Sequence, residues 1–358
     1  MEPLRDRDAQ TPQPESRTIL WTVMVLGIVV LVCGAWFGYT RWSQGQNALE
    51  TEAQLYKGKI SIGYTVWPGY AGLYVAETKG YFKDLGLDVD VVAYPSFQAL
   101  SAAYVAGEIQ GKANLTLDAV DEAYRGLDHK VVLVIDHSNG SDGIIASRAI
   151  KSFADVKGKR VGYEYGTLEE FFIRYALEQN NLTLEDIRPF NLDAEHAVAA
   201  LVEGKVDVAV TYEPFLSQTI ATIQANKIYS SADAPGLITD VLTFRTDFVR
   251  ENPETIDAIV HAYFKGLGFL KANPTEAHAI VGKAIDAPAV DIGTQLQGID
   301  VLDARDNRTS FTFAAGFESL YGNMRRVGDF IRQEHYPNAT KFDTDTLVDD
   351  RFIKKLAI

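Results

Sequence analysis

The sequence predicts an α/β fold preceded by a single membrane-spanning helix, and three observations carry that prediction. From residue 57 onward, short runs that read as strands alternate with runs of helical period. Residues 18–40 carry no charge and include ILWTVMVLGIVVLVCGAWFGY, a stretch long enough to span a bilayer. The chain has 358 residues, 47% of them hydrophobic and 23% charged, which leaves room for two compact lobes behind such an anchor.

Taken in order, residues 1–17 form a polar head containing Arg5, Arg7 and Arg17, and the apolar segment after it ends among Trp36, Phe37, Tyr39 and Trp42. A cleavable leader would be shorter and would end at a small-residue site, so residues 18–40 read as an uncleaved signal anchor. Only Arg41 follows immediately, so the basic residues place 1–17 in the cytoplasm as a tail. The soluble part is then expected in the periplasm or outside the cell, held to the inner membrane by one pass. Cys33, the sole cysteine, follows Val32 rather than a small residue; it reads as a thiol packed in the membrane, not a lipid attachment site. Residues 41–56 are a polar stalk.

Beyond the stalk, KISIGYT, LDVDVVAY, KVVLVID, KRVGYEY and KVDVAVTY read as strands of largely parallel sheets, with FQALSAAYVAG and TLEEFFIRYALEQN as helices between them. Leu73 and Tyr74 follow Tyr70 at helical spacing, so a helix face begins inside the turn Trp67-Pro68-Gly69-Tyr70. Past Asp240, Ile256, Ile259, Val260, Tyr263, Phe264, Leu267 and Leu270 make an amphipathic stripe that Asn273-Pro274 stops. A second stripe runs through Phe317, Leu320, Tyr321, Met324, Val327 and Ile331.

Composition and motifs narrow the function. Against 34 basic residues stand 48 acidic ones, a net charge of −14 with no clustered basic surface, which argues against a nucleic-acid partner. No second His or Cys lies at ligand spacing from His137, so no metal is expected. Nucleophile-elbow, phosphate-loop and His-Glu-x-x-His patterns are missing from the sequence, so no catalytic residue and no cofactor is expected.

Ligands of parallel α/β sheets sit where strand ends run into helix starts. The corresponding loops here are 67–70, 94–97, 116–118, 136–142, 164–167 and 212–215, rich in rings, hydroxyls and carboxylates but without Arg or Lys. Some of these residues also suit helix starts: Thr167 with Glu170 as a capping box, Asp118 as a cap, Pro214 at a first helical position. Helix N-termini alone would favour an anion, yet Asp118, Asp142, Glu164 and Glu213 bring unopposed negative charge. A nitrogen-bearing small molecule, able to pair with carboxylates and stack on Trp67, Tyr70, Tyr165 or Tyr212, suits that chemistry better.

WPGYAGLYVAETKGYF, YPSFQAL, LTLDAVDEAYRGL, VLVIDHSNGSDGIIAS, IKSFADVKGKRVGYEYGT and VDVAVTYEP, in this order, resemble the nitrate/sulfonate/taurine substrate-binding family that feeds ABC importers. The resemblance runs over residues 57–272 and is most specific over 151–167. It implies a two-lobed type II periplasmic-binding-protein fold with a ligand cleft: residues 57–145 and 236–358 as lobe 1 with C-terminal helices, residues 146–235 as lobe 2. The crossings are expected near 144–150 and 231–240. Ligand-facing positions carried over are Trp67, Tyr70, Ser96, Phe97, Thr116, Asp118, Ser138, Asn139, Asp142, Glu164, Gly166, Thr167, Tyr212 and Glu213. The implied function is a membrane-tethered solute-binding protein working with an ABC permease and ATPase. The alternative is a ligand-sensing or accessory subunit of another membrane complex, held through residues 18–40. Two departures stand out: most members of the family lack a long membrane span, and oxyanion binders are not expected to carry so many pocket carboxylates. Thiamine-precursor synthases share the fold but need a cysteine-rich motif that Cys33 cannot supply, so an enzyme is not expected.

Overall fold

Val131 to Ile135 form an unbroken apolar run, and such a run is stable as a strand only when both of its faces are covered. In the computed structural model, which describes residues 55–356 together with Gly34 and Trp36, this run is the fully buried middle of a sheet. Residues from 55 onward fold as one unit. Of the expected anchor only Gly34 and Trp36 are described, both helical; the span 18–40 otherwise lies outside the described residues, as do residues 1–17 and most of the stalk. No helix among the described residues is long and apolar enough to cross a membrane.

The strands in chain order are β1 (Lys59–Tyr64), β2 (Asp88–Ala93), β3 (Gly111–Leu115), β4 (His129–Ser138), β5 (Asp142–Ala146), β6 (Arg160–Tyr163), β7 (Arg188–Asn191), β8 (Val208–Tyr212), β9 (Asn226–Ser230), β10 (Thr239–Arg245) and β11 (Ile299–Val301). They form two sheets, β11-β4-β10-β3-β1-β2 and β7-β6-β8-β5-β9, one in each lobe. Helices cover both sheets, giving the expected two-lobed α/β architecture.

The sheets are mixed rather than largely parallel. Parallel pairing is confined to β1–β2, β1–β3, β6–β7 and β6–β8; the remaining neighbours are antiparallel. The cause is topological. β5 and β10 are the first strands after each lobe crossing, so each enters its sheet from the cleft end and runs against the strands that approach the cleft. The first crossing lies earlier than expected, at residues 139–141, because Asp142–Ala146 already pairs with β8 and β9. The chain returns to the first sheet through residues 231–238.

Helix Pro253–Ala272 follows the predicted stripe, and Tyr263 from it donates a hydrogen bond to the Ile135 carbonyl at 3.3 Å. Helix Leu320–Glu334 packs on helix Thr116–Tyr124 of the first lobe and also touches helix Leu168–Gln179 of the second. Phe330 meets Phe171 with ring centroids 4.8 Å apart, and ion pairs Arg174–Glu334 (2.7 Å) and Arg326–Glu178 (2.6 Å) flank them. The C-terminal helix therefore straps the lobes together beside the cleft.

Candidate functional site

The turn after β1 sets the floor of the cleft. Pro68-Gly69-Tyr70 makes a single 3-10 turn that leads into helix Ala71–Thr78, and Trp67 lies back over it, only 7% exposed. The Trp67 Nε1–H donates to Asp136 Oδ2 at 3.0 Å across Gly69, where any Cβ would overlap both atoms. The Tyr70 hydroxyl donates to Asp240 Oδ1 at 2.6 Å. Asp136 follows the apolar run of β4, and Asp240, second residue of β10, lies directly opposite it in register. Two carboxylates at facing positions repel, so this arrangement is unfavourable for folding alone.

These groups surround an inner chamber of about 30 Å³ lined by Thr65, Val66, Trp67, Tyr70, Phe97, Leu115, Asp142, Leu168, Glu169, Tyr212, Ile238 and Asp240. Asp142 enters it from the start of β5, held by its own amide, which donates to Ser138 Oγ at 3.2 Å. Its Oδ2 is buried and has no partner. Phe97, Leu115, Leu168 and Glu169 separate this space from an outer chamber of about 350 Å³, to which Gln98, Ser101, Lys112, Asp118, Asp121, Glu122, Arg125, Gly166 and Thr167 contribute.

The expected ligand-facing residues divide accordingly. Trp67, Tyr70, Phe97, Asp142 and Tyr212 line the inner chamber; Phe97, Asp118, Gly166 and Thr167 line the outer one. The others are engaged elsewhere. Ser96 accepts from the Ala99 amide as a helix cap, and Glu213 accepts from the Ser217 amide at 3.2 Å. Thr116 donates to Asn323 Oδ1 at 2.7 Å, turned toward the C-terminal helix. Ser138 bonds Ser231 Oγ and Asn139 donates to Asp300, both at the crossings. Glu164 accepts from Gln98 Nε2 at 3.2 Å, bridging the lobes.

Three expectations about helix starts are corrected. Helix Thr116–Tyr124 begins before Asp118, which leaves that carboxylate free to face the outer chamber. Thr167 holds the N-cap position but its side chain caps no amide: its hydroxyl lies within hydrogen-bond reach of both the Glu164 carbonyl and the Glu169 carboxylate, while Glu170 accepts from the Gly166 amide at 2.7 Å. Pro214 precedes helix Phe215–Ile223 instead of opening it. Asp136, Asp240 and Glu169 were missed. The signal for Asp136 and Asp240 was a carboxylate inside or bordering an apolar run, at VVLVIDHS and GLITDVLTF, where burial without a cation is costly; Glu169, in the first turn of its helix, had no such signal.

Among the described residues no Lys or Arg pairs with Asp136, Asp142, Glu169 or Asp240. Burial therefore pushes the Asp142 carboxyl up to about 8, and burial together with its neighbours' charges raises Asp136 well above the carboxylate range. Burial also raises Asp240 and Glu169. A raised acid binds more protons folded than unfolded, so its contribution to stability falls as pH rises toward the folded value. His129 and His137, held down to about 4 by burial, act in the opposite sense, but only below about pH 6.5, where unfolded histidine titrates. Thermal stability of the ligand-free chain should thus decline between about pH 6.5 and 8, by roughly 1 kcal/mol per pH unit for each proton retained. Asp142→Asn should flatten that decline; a stability that rises over this range in scanning calorimetry would contradict the assignment.

With the geometry established, similarity to known proteins can be placed on it. Over 246 residues, 66% of this chain and 74% of the other, the sequence is 25% identical to a Brucella abortus protein named as a binding protein. It is 22% identical over 229 residues to a 4-amino-5-hydroxymethyl-2-methylpyrimidine phosphate synthase of Saccharomyces cerevisiae, covering 59% of this chain and 66% of the synthase. The fold superposes on the periplasmic aliphatic sulphonate binding protein SsuA of Escherichia coli with a TM-score of 0.68 at 18% identity, covering 83% of this chain and 99% of that one. The family model described as NMT1/THI5 like matches residues 67–277, from Trp67 of the cleft floor through the whole of the second lobe, and the chain belongs to that family.

Proposed function

We propose that the chain is a solute-binding protein that encloses a small, nitrogen-containing organic cation between its lobes and delivers it to an ABC permease and ATPase. One observation carries the reading: Asp142 and Asp240 line one chamber, Asp142 with an unpartnered buried oxygen, and among the described residues no cation answers them. A protonated nitrogen would supply the missing charge and draw both carboxyls back to their ionised form. Trp67, Tyr70 and Tyr212 supply ring faces and edges on which such a group is favoured by about 0.5–2 kcal/mol per contact. Hinge motion at residues 139–141 and 231–238 would admit and release the ligand. The uncharged segment 18–40 serves in this reading as a tether that keeps the lobes outside the inner membrane.

The reading contains no chemistry beyond capture. Among the described residues no group of His, Cys, Asp and Glu is arranged to hold a metal. The same segment 18–40 also supports a second reading, in which the lobes report ligand occupancy to another membrane complex.

The test is a thermal-shift titration of the full chain in detergent with methylammonium, guanidinium and aminopyrimidines, set against nitrate, bicarbonate and methanesulfonate. A cation at about a hundredfold over its Kd should add about 2.7 kcal/mol and raise the transition by several degrees. Asp142→Asn should abolish that response. Stabilisation by oxyanions alone would overturn the cationic reading.

A further inference from the structure

The two chambers differ in size by an order of magnitude, and the difference constrains the ligand. The inner chamber, about 30 Å³ against about 350 Å³ on the same measure for the outer one, takes the smaller end of a ligand, its charged nitrogen head. The two spaces adjoin at Phe97, Leu115 and Leu168, which line both, so the outer chamber is the adjoining room for the body of a longer ligand.

That outer chamber is itself short of positive charge. Its two cations are already committed, Lys112 to Glu122 Oε1 at 2.6 Å and Arg125 to Asp121 at 2.6 Å. Glu122 is buried to 1% exposure, its Oε1 also accepts from Ser101, and its Oε2 has no partner. Asp118, on the same helix one turn earlier, lines the chamber with no Lys or Arg paired to it among the described residues. Glu169 reaches both chambers. The start of helix Leu168–Gln179 would attract an anion here, but these carboxylates outnumber and outlie the free donors.

We propose that the outer chamber is a second cation subsite, so that the ligand is a diamine whose two ammonium groups are joined by an apolar spacer. One ammonium sits between Asp142 and Asp240, the other beside Asp118 and Glu122, and the spacer crosses Phe97, Leu115 and Leu168. This rests on the cationic reading of the inner chamber and adds to it the number and separation of the charges.

Isothermal titration calorimetry of the full chain in detergent tests it, using α,ω-diaminoalkanes from propane to hexane against monoamines of equal length. One diamine length should bind at least about tenfold tighter than its monoamine, the gain expected of an added charge-assisted contact. Asp118→Asn should erase that gain, bringing each diamine to the affinity of its monoamine, whereas Asp142→Asn should weaken both series. Asp118→Glu, one methylene longer, should restore the gain with the optimum moved to a shorter diamine. Diamines that track their monoamines at every length, or a gain that survives Asp118→Asn, would overturn the second subsite while leaving the inner one standing. Silence from both series would overturn the cationic reading and this proposal with it.

Discussion

Replacing Trp67 with alanine should lower the unfolding free energy by about 3–5 kcal/mol, the cost of emptying a buried aromatic site. The side chain has nowhere to relax: it is nearly buried, the Trp67 carbonyl accepts from the Tyr74 hydroxyl at 2.9 Å, and among the described residues the indole N–H is the sole partner of the Asp136 carboxylate. Losing that donor leaves both Asp136 oxygens buried and unbonded, a further penalty of about 1–3 kcal/mol. Trp67→Phe separates the two effects, since it keeps most of the apolar contact and removes only the N–H. Urea unfolding followed by circular dichroism should therefore rank the wild type above Trp67→Phe and that above Trp67→Ala. Equal midpoints for all three would mean that the ring is solvent-exposed and does not form the cleft floor. Affinity for a cationic probe should fall about tenfold in Trp67→Ala, as for a central aromatic contact.

How much of this was legible beforehand depends on which force shaped each segment. Runs such as KVVLVID and KVDVAVTY announced β4 and β8 because burial on both faces leaves a continuous apolar signature. β3 is buried just as deeply but reads Gly-Lys-Ala-Asn-Leu, and its strand state is imposed by its neighbours β1 and β10 rather than by propensity. β7, exposed along its length, carried no apolar signal either. The rule that ligands gather at the carboxyl ends of strands picks out Trp67, Phe97 and Tyr212, which follow β1, follow β2 and end β8 and line the inner chamber. It could not find Asp240, near the start of an antiparallel strand, because strand direction follows from the lobe crossing and not from local sequence. Asp142 begins β5 in the same way and was found only because it also belongs to the loop after β4. Ser96, Glu213 and Thr116 show the converse: hydroxyls and carboxylates at helix starts, spent on amides and on the C-terminal helix.

The buried pair Lys112–Glu122 yields the second large effect, and its sign depends on how it is removed. Lys112→Met alone should cost about 3–5 kcal/mol, because it strands a carboxylate that is 1% exposed with one oxygen already unpartnered. Lys112→Met combined with Glu122→Leu should recover most of that loss, since replacing both ions with apolar groups removes the desolvation penalty along with the attraction. The coupling between the two substitutions, read from urea unfolding of the singles and the double, should be well above the few tenths of a kcal/mol seen for independent sites. Breaking the exposed pair Lys205–Glu203 should by contrast change stability by less than about 1 kcal/mol. If the double variant folds as stably as the wild type, the ion pair is not there for the fold, and its position in the wall of the outer chamber becomes the reason for it. A chain that keeps its stability but no longer distinguishes diamines from monoamines would locate that reason in ligand selection. Wild-type discrimination in the double variant would return the pair to a purely structural role.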